Sequence, residues 1–257
     1  MTKPELIYAR PINWDELEAL RQEFPGQIKY LAGGDYHPKV REGVAVLIDL
    51  QELELDLVEF AEDAITLGGL SNLQQLGDGL ESEDLLEAIS IEAGANLRNS
   101  LSLTNYVKHS NGRSSVQICL NAMEAEYRLF GEESSQLHSP ALKAKLADDF
   151  IEEIRIPNPI SLAFACIGRS PKDQPIVAVA ASKRSEDRIH VACGGSESMW
   201  AEFDLLPGYD GETIIRDLFK NVSDEWAEAE YRQEVAAVLL SRCLQKLGTD
   251  SNTEEES

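Results

Sequence analysis

Apolar positions change their spacing along the chain and so divide it into helical and extended stretches. Trp14, Leu17, Leu20 and Phe24 recur at helical intervals. Asn13-Trp14-Asp15-Glu16 has the form of a capping box, with Asn13 placed to accept from an early N–H and Glu16 three residues on. Pro25-Gly26 ends that helix. Ile28 to Leu31 and Val44 to Leu50 are short runs of apolar and β-branched residues and predict buried strands. Val58-Glu59-Phe60 and Ala64-Ile65-Thr66-Leu67 predict two more, joined by a tight turn at Glu62-Asp63. Gly68-Gly69 then opens a short helix, Leu70 to Leu76. Ser82 caps a helix running to about Ala95, with Leu85, Leu86, Ile89 and Ile91 as its apolar positions.

In the second half, Ser139-Pro140 starts a helical pattern through Leu146, because proline suits the first helical position. Ile151 to Ile156 predicts a strand, ended by Pro157-Asn158-Pro159, the best domain boundary by composition. Leu162 to Ile167, Ile176 to Ala181 and Ile189 to Ala192 follow, separated by polar turns. Sequential strands with short connections predict an antiparallel meander. A long helix from about Ala227 to Leu247 carries Tyr231, Val235, Val238, Leu239, Cys243 and Leu247 as a broad apolar stripe, with Gly248 at its C′ position. Thr249 to Ser257 is polar and acidic and is expected to be disordered.

Composition narrows the functional classes. A chain of 257 residues with 43% hydrophobic content holds one large domain or two ordinary ones. Its net charge of −23 argues against nucleic acid, since no basic stripe offsets the acidic surface. That acidity reads as a solvated exterior or as a match to a cationic patch on a partner subunit. The four cysteines, Cys119, Cys166, Cys193 and Cys243, form no Cys-x-x-Cys pair. Zinc and iron–sulfur sites need clustered thiolates, so neither is expected here. The sequence has no apolar run of membrane-spanning length and no signal pattern at its start, which predicts a soluble, cytoplasmic protein with no membrane insertion.

Candidate chemistry is concentrated in one place. Tyr30-Leu31-Ala32-Gly33-Gly34-Asp35-Tyr36-His37-Pro38 lies between two predicted strands. Glycines at such a turn take φ > 0 and let backbone N–H groups approach a pyrophosphate closely. Taken alone, a glycine pair after a strand is also what a tight turn requires. His37, His109, His138 and His190 have no metal-ligand spacing. Neither a Gly-x-Ser-x-Gly elbow nor the Gly-x-Gly-x-x-Gly fingerprint occurs.

The order Ala32-Gly33-Gly34, Leu47-Ile48-Asp49-Leu50, Ile65 to Leu70, Leu97-Arg98-Asn99 and Glu230-Tyr231-Arg232 resembles the FAD-binding (medium) subunit of molybdenum hydroxylases. That family includes carbon monoxide dehydrogenase and the flavin domain of xanthine dehydrogenase, and the resemblance runs from about Pro4 to Leu247. It implies an α+β fold: a two-lobed flavin-binding domain over residues 1–157, with lobes at about 1–55 and 56–157. A smaller antiparallel-sheet-plus-helices domain over 158–248 and the acidic tail 249–257 would follow. It also implies an FAD-binding electron-transfer subunit with no hydroxylase activity of its own. The expected partners are a large subunit carrying the molybdenum cofactor and a small iron–sulfur subunit. The cofactor residues it implies are Leu31, Ala32, Gly33, Gly34, Asp35, Tyr36 and His37 in a first loop. Ser102, Leu103, Thr104, Asn105, His109 and Ser115 fall in or after a second. Arg98 stands beside the second loop in the family, and equally suits a helix C-terminus.

The chain also departs from the family pattern. The first loop is one residue short, Thr104-Asn105 stands where the family has a glycine pair, and Ser115 stands where it has an aspartate. A Cβ at a position needing φ > 0 costs about 1 kcal/mol or more, which predicts a weakened or absent FAD site. The alternative expectation is a non-catalytic scaffold or assembly subunit that keeps the fold.

Overall fold

The computed structural model describes residues 6–33, 43–131, 144–146, 149–158, 161–171, 173–185 and 187–248. Its chain groups into two compact units. The first comprises Met1–Gly79, Asn96–His109 and Glu126–Arg155, the second Leu80–Ala95, Ser110–Ala125 and Ile156–Ser257. The grouping is discontinuous, whereas the sequence reading cuts the chain once, at Pro157.

In the first unit, β1 (Ile7–Ala9), α1 (Trp14–Glu23), β2 (Ile28–Leu31) and β3 (Val46–Asp49) make a parallel three-stranded sheet of order β1-β3-β2. The capping box is present in altered form. Asn13 Oδ1 accepts from Glu16 N–H at 2.9 Å, but the Glu16 carboxylate accepts from Ile12 N–H. Leu17 of α1 is fully buried with Val46, Ile48, Leu50 and Phe150, so β3 forms the centre of this core. A second sheet has the order β4-β5-β7-β6, from β4 (Val58–Phe60), β5 (Ala64–Gly68), β6 (Glu126–Leu129) and β7 (Ile151–Pro157). Helices α2 (Leu73–Leu80), α4 (Ala95–Arg98) and α5 (Leu103–His109) complete the unit.

The second unit is built on an antiparallel meander of β8 (Leu162–Ile167), β9 (Val177–Ser185), β10 (Arg188–Ser196) and β11 (Met199–Leu205). Alternate residues of a strand face opposite sides. Val177, Val179 and Ala181 pack with Ile215 and Phe219 of α7 (Gly211–Phe219) and with Leu239, Leu240 and Cys243 of α8 (Ala229–Lys246). The expected Val235/Leu239 face does cover this sheet, Val235 being partly buried. Also in this unit, α3 (Glu83–Glu92) packs on β8, and α6 (Ser115–Ala122) on β9 and β10. A Cβ on Gly194 of β10 would stand 2.2 Å from Gly112 O and 2.9 Å from Ile118 Cδ1 of α6, so glycine permits this close backbone approach. No helix among the described residues is long and apolar enough to cross a membrane.

Several elements differ from expectation, among them β11, a fourth strand of the meander that the sequence pattern does not predict. The helix placed at Leu70 to Leu76 starts at Leu73, because Leu70 N–H is already bonded to Leu55 O. Asn72 and Gln75 then cap each other's N–H groups, both at 2.9 Å. The helix placed from Ser82 to Ala95 ends at Glu92, with Ala93 in extended geometry. The segment around Thr104 and Asn105 is helix α5, not a loop. Most of the helix expected from Ser139-Pro140, and the whole tail 249–257, lie outside the described residues.

Candidate functional site

Gly33 is where the two candidate loops meet. It ends the turn leaving β2 at φ +77°, a conformation that suits glycine. Its carbonyl accepts from Ser102 Oγ at 3.1 Å and from Asn105 Nδ2, across 69 and 72 residues of sequence. Ser102 Oγ also accepts from Asn105 N–H at 3.3 Å. The result is a closed set of neutral hydrogen bonds, with Ser102, Asn105 and Ala32 all buried. Leu31 ends β2, and its carbonyl accepts from Leu50 N–H at 3.4 Å. Gly34, Asp35, Tyr36 and His37 lie outside the described residues.

The expected strain at Thr104 and Asn105 is absent. Among the described residues, only Glu54, Glu81 and Glu124 combine a side chain with positive φ. Both candidates sit instead in the first turn of α5, where a Cβ has no backbone penalty. Thr104 turns away from Gly33: its Oγ1 accepts from Ile151 N–H at 3.2 Å and lies 3.4 Å from Ile151 O. Leu103 is wholly buried.

The start of α5 is tied down by the second glycine pair. Thr104 N–H bonds to Gly69 O at 2.9 Å and Leu103 N–H to Ser71 O at 2.8 Å. A Cβ on Gly69 would stand 1.8 Å from Ile151 O, and one on Gly68 2.1 Å from Leu55 O. Gly68-Gly69 is thus a place of close backbone packing, which accounts for the pair without a ligand. The first-turn N–H groups of α5 are already bonded within the protein.

His109 and Ser115 are placed differently. His109 is exposed at the last position of α5. Ser115 belongs to the second unit, as the first residue of α6. Its Oγ is buried with no partner among the described residues, while its N–H donates to Glu92 Oε1 at 2.6 Å. A carboxylate from α3 therefore stands at the start of α6, where the helix dipole favours negative charge. Nothing in the sequence pattern around Glu92 signals this.

Two polar clusters of the second unit were not anticipated. Arg232 has no exposed surface, yet it donates to Ile176 O, Val222 O and Ala227 O, and to Asp224 Oδ1 at 2.6 Å. Arg113 pairs with the same Asp224 at 2.5 Å and stacks on Trp226 at 3.6 Å, and Arg169 also lies over that ring at 4.1 Å. Burial alone would raise the Asp224 pKa, but Arg232, the Trp226 N–H and Arg113 hold it down at about 2. His190 lies between Asp204, 2.8 Å from Nδ1, and Glu202, 3.5 Å from Nε2. Burial lowers its pKa, but those carboxylates and Glu124 outweigh it, and the net shift is upward. Among the described residues, no group of three or more His, Cys, Asp or Glu is placed to hold a metal.

No protein-family profile matches the chain. The uncharacterised protein YgfM of Escherichia coli strain K12 is 26% identical over 243 residues, covering 91% of this chain and 93% of that protein. Among solved structures, a chain of quinoline 2-oxidoreductase from Pseudomonas putida 86 superposes with a TM-score of 0.70 at 16% identity, over 97% of this chain and 99% of the other. A chain of carbon monoxide dehydrogenase from Hydrogenophaga pseudoflava gives 0.69 at 17% identity, over 96% and 99%. The reconstituted carbon monoxide dehydrogenase from Oligotropha carboxidovorans gives 0.69 at 16% identity. The chain thus shares, nearly end to end, an α+β fold with component chains of these oxidoreductases.

Proposed function

We propose that this chain is the FAD-binding electron-transfer subunit of a cytoplasmic, molybdenum-hydroxylase-like oxidoreductase. One observation carries the reading: the shared fold extends over 96–97% of this chain and 99% of the matched chains of quinoline 2-oxidoreductase and carbon monoxide dehydrogenase. A shared fold does not fix chemistry, so the fit of the residues to the cofactor matters. At the first loop the backbone of Gly33 supports that fit. Gly33 is half-buried at φ +77°, and a Cβ there would stand, among the described residues, 3.7 Å from Ser102 Cβ.

Gly33 and the residues after it to His37 would hold the pyrophosphate. The flavin, when bound, supplies the redox chemistry, accepting electrons from iron–sulfur centres of a small subunit and releasing them to an acceptor. The chain's own work is binding and orientation. Substrate oxidation would belong to a large subunit carrying the molybdenum cofactor.

A second reading, a flavin-free assembly subunit, is favoured by one observation. The first-turn N–H groups of α5 and the Gly33 carbonyl are satisfied by the protein itself. Isolating the tagged chain from its own host, under gentle conditions, separates the two. Flavin absorbance together with molybdenum- and iron-containing companion chains is expected. The same companions without flavin would move the scaffold reading to first place, and no companions and no flavin would reject both.

A further inference from the structure

We propose that Ser102 and Asn105 form a latch on the Gly33 carbonyl that occupies the place of a bridging ligand and sets the flavin affinity of this chain. The inference rests on the FAD reading above. The carbonyl of Gly33 receives two donors, Ser102 Oγ and Asn105 Nδ2, which use both of its lone pairs. Ser102 Oγ accepts in turn from Asn105 N–H. The chain from Asn105 N–H through the Ser102 hydroxyl to Gly33 O is cooperative, and Asn105 Nδ2 adds a second donor to the same carbonyl.

The latch joins segments 69 and 72 residues apart. A pyrophosphate lying between a glycine turn and α5 would join the same segments through its oxygens. Here the side chains of Ser102 and Asn105 make that junction. A phosphate approaching Gly33 from the α5 side meets a carbonyl oxygen, negative end first. It also meets N–H groups of Leu103, Thr104 and Asn105 that already have acceptors. Binding from that side must break the latch, and its hydrogen bonds count against affinity. Glycine at position 105 would remove one donor and the side-chain volume together.

FAD titration of the purified full chain, followed by flavin fluorescence and by calorimetry, tests this. Asn105→Gly is expected to bind FAD about fivefold more tightly than the unmodified chain, the worth of one net hydrogen bond. Asn105→Asp has similar size but cannot donate to the Gly33 carbonyl, and its charge repels phosphate. It is expected to show no gain. Thermal unfolding should find ligand-free Asn105→Gly less stable than the unmodified chain, with FAD restoring the difference. If Asn105→Gly fails to fold by circular dichroism, Ser102→Ala replaces it, with the same expectation at a few-fold gain. Equal affinity of folded Asn105→Gly and the unmodified chain overturns the latch and leaves the FAD reading standing. No binding by either overturns both.

Discussion

At Gly33 a single backbone carbonyl takes two neutral donors, from Ser102 and Asn105. At Arg232 a guanidinium with no exposed surface takes three backbone carbonyls and the carboxylate of Asp224. Both junctions hold together segments distant in sequence, one in each unit. Their chemistry differs in what it permits. A buried charge needs all its partners, because its desolvation is large and removing one leaves it uncompensated. Arg232 is therefore a fixed structural tie, with four of its five N–H donors bonded within the protein. Neutral hydrogen bonds to one carbonyl are worth only about 1 kcal/mol each, so the Gly33 junction is exchangeable.

The contrast predicts unequal consequences of substitution. Asp224→Ala should cost about 3–5 kcal/mol, by stranding the Arg232 charge. Chemical denaturation should show the loss, together with lowered near-ultraviolet ellipticity from Trp226. The pH dependence has a definite sign. With its pKa depressed to about 2, Asp224 contributes stability that is complete above its unfolded value and is lost as pH falls through the folded one. An Asp224→Ala protein as stable as the parent would erase the distinction between the junctions.

Gly69→Ala should come next. Its Cβ would meet the Ile151 carbonyl carbon and oxygen, which belong to rigid backbone. Overpacking of this kind costs about 1–3 kcal/mol, read as a lower denaturation midpoint with the unfolding slope unchanged. Thr104→Val keeps the shape but strips Ile151 N–H of its acceptor, for about 1–2 kcal/mol. Neither variant changes the Gly33 latch directly, so each should lower stability far more than it alters FAD affinity.

Much of this frame is legible in the sequence, and the reasons for the rest are specific. β2 and β3 are short β-branched runs on either side of a glycine pair, and α8 carries an apolar stripe closed by Gly248, of which Val235, Leu239 and Cys243 pack inward while Tyr231 and Val238 are exposed. α6 is buried over its whole length, Gln117 and Asn121 included, so it has no solvent-exposed face to mark its period. α5, Leu-Thr-Asn-Tyr-Val-Lys-His, reads as a loop when compared with a family glycine pair, and only its anchorage to Gly69 and Ser71 explains the helix. The Asn72–Gln75 and Asp210-led helix starts were readable from capping residues alone. The contacts of Gly33 with Ser102 and Asn105, and of Asp224 with Arg113, join distant residues that no local pattern links. The Thr104–Asn105 strain failed as an expectation because it assumed left-handed backbone where the chain is helical.

The smallest effect concerns His190. Its neighbours are Asp204 and Glu202 on β11, Glu124 after α6, and Arg188, which pairs with Glu124 and Asp204. Its folded pKa is raised, so its contribution to stability is full below the unfolded value of about 6.5 and is lost as pH rises through the folded one. Denaturation midpoints should fall slightly over that range, and His190→Gln should flatten the slope. A midpoint that rises instead would reverse the assigned charge balance.

Hydrogen exchange by mass spectrometry, with and without saturating FAD, bears most directly on the claim that the glycine-turn region of the first unit is the cofactor-binding region while the Arg232 region is a fixed tie. The account predicts slowed exchange in peptides spanning residues 31–37 and 101–109, with peptides around Asp224 and Arg232 unchanged. Exchange unaltered by FAD in the first set, or protection confined to the second, would contradict it.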